Sequence, residues 1–201
     1  MSEKQTWLRF APDNAVGVAL EAWWRDLHEQ RRGERAALRR AFSLEEAVCS
    51  GDIEALRAFY RLGDAVAAAA RAADMAFFDT AGRTYSDRDR LWPIAVLLAE
   101  VRPERNHGAG SGTAEALPRS MRKSVAQREA CISEQRFKRL LNLDTPTELL
   151  RPLRRALALL EQAGLSVDVF DLANALWRWD ERRRKAWAYA YFAQPAAPAS
   201  E

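Results

Sequence analysis

Ser133–Gln162 reads SEQRFKRLLNLDTPTELLRPLRRALALLEQ, and its pattern decides the fold class. It is two helices with a break between them. Ser133 is placed to cap the first, and Arg136, Phe137, Leu140 and Leu141 follow at helical spacing. Asn142 to Thr145 interrupts that run. The second helix carries a start signal: Thr145 at the cap, Pro146 at the first helical position, and Glu148 three residues after Thr145, the pattern of a capping box. Leu149, Leu153, Leu157 and Leu160 then recur three or four apart, and Gly164 ends the run. At about 100° per residue these leucines share one stripe, and Arg151, Arg154 and Arg155 are expected on the opposite face. The helix thus has a leucine side to bury and an arginine side to present. A solvated face accounts for one such helix, because charged residues mostly lie outside whatever the function. Recurrence of the design along the chain favours a use for the arginines.

Helical periodicity runs through the other segments too. Ala11–Gln30 reads as a helix with Val16, Leu20, Trp23, Trp24 and Leu27 inward and Asp13 or Asn14 at its cap. GERAALRRAF follows, with Leu38, Ala41 and Phe42 expected inward and Arg32, Arg35 and Arg39 pointing together. Ser43 with Glu46 makes a second capping-box pattern, and Asp52 caps a helix that Gly63 is expected to stop. The alanine-rich stretch Asp64–Phe78 reads as a central core helix. Ser86 and Asp89 open another, with Pro93 early in it or kinking it. Arg119–Ala130, Val167–Trp179 and WAYAYF complete the helical segments, with the charged run Asp180–Lys185 before the last. No stretch alternates with period two for long, so no strand is expected. Arg102–Pro118 is the one clear shift in composition, rich in glycine and serine. The expected organisation is all-α: an N-terminal helical lobe over 1–101, a flexible loop over 102–118, a C-terminal helical lobe over 119–193 and a disordered tail over 194–201.

Composition narrows the function. The chain has 201 residues, 48% hydrophobic, enough for a substantial core and too apolar for a disordered chain. Its formal net charge of +3, from 31 Lys and Arg against 28 Asp and Glu, excludes a histone-like polycation but leaves room for local basic patches. Cys49 and Cys131 belong to no metal-ligand spacing and read as reduced, partly buried thiols of a cytoplasmic protein. MSEKQTWLRF has no signal pattern, and no apolar run is long enough for a membrane span. His28 and His107 are far apart, no HExxH, P-loop or GxSxG pattern occurs, and GAGSG at Gly108–Gly112 follows no strand. No cofactor, metal or enzymatic activity is therefore expected. The seven tryptophans, Trp7, Trp23, Trp24, Trp92, Trp177, Trp179 and Trp187, mostly share helix faces with other apolar residues and read as core. The basic clusters Arg31–Arg40, Arg119–Lys123, Arg136–Arg139, Arg151–Arg155 and Arg182–Lys185 are rich in arginine, whose planar fork suits phosphate oxygens. Clusters meeting on one surface would track a nucleic-acid backbone without reading its sequence.

These pieces resemble the CasB family, the small subunit of the type I-E CRISPR surveillance complex, Cascade. The resemblance rests on Trp24 and Leu27, GERAALRRA at Gly33–Ala41, FYRL at Phe59–Leu62, SEQRFKRLL at Ser133–Leu141, LRPLRRALALL at Leu150–Leu160, and DVFDLANALWRW through Trp187-Ala188, in the family's order. It does not extend to the 102–118 loop or the tail. It implies a non-catalytic protein of two small helical bundles, present as two copies in Cascade. There the family contacts guide RNA and target DNA, holds the displaced strand, and shares the complex with the CasA large subunit, the CasC backbone, CasD and CasE. The positions that match family basic residues are Arg39, Arg40, Arg136, Arg154 and Arg155. Arg122, Lys123, Arg182 and Arg183 lie near others. The competing reading is a helical protein–protein adaptor whose arginines are solvated.

Overall fold

Asn14 starts the first helix of the computed structural model, which describes residues 6–77, 87–103, 116–124 and 130–193. Its side chain accepts from the Gly17 backbone N–H at 2.7 Å and caps α1 (Ala15–Glu29). Val16, Leu20, Trp23, Trp24 and Leu27 form the buried side of that helix, as their spacing predicts. α2 (Arg32–Arg40) and α3 (Leu44–Ser50) follow, with Ser43 accepting from Glu46 at the start of α3. Leu38 is buried and Ala41 half-buried, but Phe42 is exposed, against the expectation that all three face inward. The chain has left the helix at Ala41, whose extended backbone (ψ 143°) ends the helical spacing on which that expectation rested.

α4 (Ile53–Ala72) begins at Asp52, which accepts from the Ala55 N–H. It does not stop at Gly63: the DIEALRAFYRL segment and the alanine run are one helix of 20 residues. Gly63 is there for space. A Cβ at this position would lie 2.6 Å from Arg88 Nη1, and Arg88 crosses the helix here to bind Asp64 at 2.9 Å. The helix thus accepts the glycine penalty of about 0.5–1 kcal/mol in exchange for a close crossing.

The central element is not the alanine run but α5 (Leu91–Leu98), LWPIAVLL, all of whose residues are buried. A helix apolar all round must be covered on every side. It packs against α2 and α4 and against α8 (Pro146–Gln162) and α9 (Val169–Trp177). Pro93 sits in its first turn, where a missing N–H costs nothing. Arg90 holds the cap position without a side-chain hydrogen bond, and the expected cap Ser86 lies outside the described residues. α6 (Leu117–Arg122) takes Leu117 and Pro118 from the sequence expected to be loop.

α7 (Glu134–Leu141) starts after Ser133 as expected, but the Ser133 side chain makes no cap hydrogen bond, whereas α8 forms as its sequence dictates. Thr145 and Glu148 make the reciprocal capping box, and Leu149, Leu153, Leu157 and Leu160 are buried. Gly164, at φ +68°, closes α8: the Leu165 N–H bonds to Leu160 O at 2.9 Å and the Gly164 N–H to Glu161 O at 3.1 Å, a Schellman cap. Asp168 caps α9, and Asp180 caps α10 (Glu181–Phe192), which joins the charged run and WAYAYF in one helix. Six tryptophans, all but Trp7, are buried, as the core reading expects; the Trp7 side chain falls outside what is described. Cys49 is exposed and Cys131 buried, both as free thiols.

The described residues contain one departure from pure helix. β1 (Thr6–Trp7) pairs in parallel with β2 (Met75–Ala76), Thr6 opposite Met75 and Trp7 opposite Ala76. Two residues a side is too short for an alternating pattern to register in sequence. The fold remains all-α, with one connected core from Leu8 to Tyr191. No described helix is long and apolar enough to cross a membrane. The expected loop over 104–115, the expected tail over 194–201 and residues 125–129 of the expected Arg119–Ala130 helix lie outside the described residues.

Candidate nucleic-acid interface

The basic residues divide by their partners. One group gathers at the C-terminal end of α5, where unpaired carbonyls carry the negative end of the helix dipole. Trp24 Nε1 donates to Val101 O at 2.7 Å and His28 Nε2 to Leu98 O at 3.0 Å. Arg35 Nε donates to Ala99 O at 3.2 Å, and Arg39 Nε to Glu100 Oε2 at 2.8 Å. Arg154 reaches the same place from α8. Its Nη2 donates to Leu38 O at 3.0 Å and Ala41 O at 2.8 Å, and its Nε stands 3.5 Å from Glu100 Oε1. Burial pushes the Arg154 guanidinium below its ordinary pKa, with Glu100 pulling it back up and Arg39 adding to the depression.

Arg154 is thus not on an outward arginine face with Arg151 and Arg155. The reason is angular. At about 100° per residue, Arg154 lies about 60° from Leu157, on the flank of the leucine stripe, while Arg151 and Arg155 lie about 120° and 160° away. Its side chain is 15% exposed and ties α8 to the end of α2.

Arg151 and Arg155 do face outward, and both are exposed. Across a groove between α7 and α8 they meet Arg136 and Arg139 of α7. The two helices supply these residues at i, i+3 and i, i+4 spacing, so each pair shares a face. The groove floor is apolar, with Ile132, Leu143, Pro152 and Leu159 among its lining, and no carboxylate lines it. Arg136, Arg139 and Arg155 have no ion-pair partner among the described residues, and Arg151 lies over the ring of Phe42, 5.0 Å from its centroid. Arg136 and Arg139 also line a second, wider depression on the other side of α7, which Arg122 and Lys138 share. That depression also carries Glu134, 3.8 Å from Lys138, while the α7–α8 groove leads by Arg151 to Phe42 beside α2.

The remaining expected residues fall around this surface or away from it. Arg40 and Lys123 are exposed, and Arg122 lies 5.8 Å from the ring of Tyr191. Arg182 is exposed, whereas Arg183 is half-buried and 3.4 Å from the half-buried carboxylate of Asp171. Burial raises the Asp171 pKa, and the Leu117 N–H and Arg183 oppose that rise. Singling out Arg136, Arg154 and Arg155 passed over Arg139 and Arg151, although the same spacing that marks their neighbours marks them. No group of three or more His, Cys, Asp or Glu side chains clusters as metal ligands do among the described residues.

A family model for the CRISPR-associated protein Cse2 matches residues 34–192. The chain belongs to the Cse2 family. This is the small-subunit family whose resemblance the helical segments already carried, and it makes the chain a CRISPR Cascade subunit. The match takes in α2 from Glu34 onward, all of α3 to α10, and every arginine and lysine placed in this subsection. No curated protein and no solved structure matches the chain.

Proposed function

We propose that this Cse2 protein is a non-catalytic, cytoplasmic subunit that binds nucleic-acid backbone within Cascade. It holds the guide RNA–target DNA region and the displaced strand, and so stabilises the opened target in antiviral defence. Its partners are the other Cascade subunits and a second copy of itself. One observation carries this reading: four arginines converge on the α7–α8 groove with no carboxylate among them. Arginine left without an internal partner, with its fork facing solvent, is suited to phosphate oxygens. Base pairing supplies sequence recognition in such complexes, so backbone contacts suffice for the protein. The proposed contact residues are Arg136, Arg139, Arg151 and Arg155, flanked by Arg40, Arg122, Lys123 and Arg182. Arg39, Arg154 and Arg183 already face carboxylates of the chain.

The experiment is target binding by reconstituted Cascade carrying Arg136→Ala with Arg155→Ala. Each phosphate contact to a single strand contributes about 0.7 to the log–log salt slope. Losing two should flatten the slope by about 1.4 and weaken affinity about 25-fold at 0.1 M salt, for every sequence alike. Guide-RNA loading should be unchanged. Affinity equal to the parent complex at two salt concentrations would leave the adaptor reading, which exposed Val48, Ile53 and Tyr60 on another part of the surface support.

A further inference from the structure

Phe42 is the one aromatic residue between Gly33 and Phe59. It is 42% exposed, directly after a helix that ends in Arg39 and Arg40. The guanidinium carbons of Arg151 and Arg154 lie 5.0 Å and 5.4 Å from its ring centroid. Arg154 is in turn bonded to the carbonyls of Leu38 and Ala41, one of them the residue before Phe42. The ring is therefore held by a cation that is itself anchored to the backbone beside it. A pre-ordered ring loses little freedom when a further partner covers it. A single exposed apolar side chain is ordinary; its position beside Arg151, at the edge of the α7–α8 groove, is what gives this one meaning. Aromatic rings interleaved with arginines along a cationic surface are how proteins hold unpaired bases, whose faces stack while their phosphates are neutralised. A duplex keeps its bases inside and would present only phosphates here.

We propose that Phe42 is a stacking platform for an unpaired base of a single strand whose phosphates lie on Arg151 and Arg155. This rests on the nucleic-acid reading above and adds to it a contact with a base. A protein partner would use the same ring as an anchor. The cations around it favour a polyanion instead.

The test uses the isolated full chain, its Phe42→Ala, Phe42→Leu and Phe42→Trp variants, and the Arg136→Ala, Arg155→Ala double variant. The probes are a thymine single strand and an abasic strand of equal length and charge, each titrated at two salt concentrations. Stacking predicts that Phe42→Ala and Phe42→Leu weaken the thymine strand about tenfold, that Phe42→Trp retains binding, and that the abasic strand is indifferent to all three. The salt slope should not change in the Phe42 variants and should flatten for both strands in the arginine double variant. Equal losses on both strands would make Phe42 a support for the arginines and overturn the proposal. Unchanged thymine binding in Phe42→Ala, with the arginine effect intact, would overturn it while leaving the backbone reading in place. Loss of Phe42→Ala from reconstituted Cascade with strand binding intact would assign the ring to a protein contact. If the parent chain binds neither strand, the backbone reading and this inference both fall.

Discussion

Arg154 and Arg155 are neighbours in sequence and opposites in the fold. Arg154 belongs to the group at the end of α5, where Arg35 and Arg39 also find carbonyl or carboxylate partners. Arg155 belongs to the α7–α8 groove, where arginines stand together without acidic neighbours. The first group closes a helix terminus and fastens α2 and α8 around it. The second has no carboxylate in its groove, and its one ring contact among the described residues is that of Arg151 with Phe42. Clusters of like charge cost stability unless something outside neutralises them. Arginine count therefore does not separate the two groups, and the absence of an internal partner does; the proposed binding surface rests on that second criterion.

The sharpest way to break this comparison is through stability. Leu157, buried on the leucine stripe, sets the upper mark: Leu157→Ala should cost about 2–5 kcal/mol in urea denaturation. Arg154→Ala should cost about 1–3 kcal/mol, because it removes charged hydrogen bonds and leaves two carbonyls of the α2 end without that donor. Arg154→Lys should recover only part, since a single ammonium nitrogen cannot bond both carbonyls as Nη2 does and also keep the Nε side toward Glu100. Arg155→Ala should stay within about 0.5 kcal/mol of the parent. Equal losses at Arg154 and Arg155 would erase the distinction between the two groups.

How much of this could be read from sequence follows the range of the interactions. The Thr145–Glu148 box, the leucine stripe and the Gly164 stop are local, and each forms as its spacing predicts. Gly63 misled because its reason is Arg88, a residue 25 positions away that crosses the helix there. LWPIAVLL carried the signal of a fully enclosed helix, having no polar residue at all, yet alanine content drew the central role to its neighbour. For the arginines, faces within one helix were legible from angle: about 60° from Leu157 for Arg154 against about 160° for Arg155. What lies opposite each face was not, because Glu100, Leu38 and Ala41 come from other helices. The division into lobes 1–101 and 119–193 remains a proposal, and α5 sets its terms by packing on α8 and α9. Cleavage within 104–115 should accordingly leave two pieces that co-elute in size-exclusion chromatography.

The smallest expected effect sharpens the comparison on its acidic side. Asp26 and Asp171 both face arginine, but with opposite results. At Asp26 burial raises the carboxyl pKa, and Arg61 at 2.6 Å with Arg31 at 3.3 Å more than reverses that, so the net shift is downward from 3.8. At Asp171 burial prevails over the Leu117 N–H and a more distant Arg183, and the net shift is upward from 3.8. The signs of their pH dependence must differ. A depressed carboxyl contributes stability that is present above its unfolded value and lost as pH falls through the folded one. A raised carboxyl favours the fold fully below its unfolded value, and that contribution is lost as pH rises through the folded one. Asp26→Asn should therefore remove a loss of stability on the acid side of 3.8, and Asp171→Asn a loss on its alkaline side. Thermal melts of the parent and both variants from pH 3 to pH 7 give the two difference curves. Arg183→Ala should move the Asp171 window to higher pH, since it removes a charge that holds the carboxylate ionised. No movement of the Asp171 window on removing Arg183 would show that Arg183 is no partner of Asp171. Arg183 would then rejoin the unpaired arginines of the binding surface.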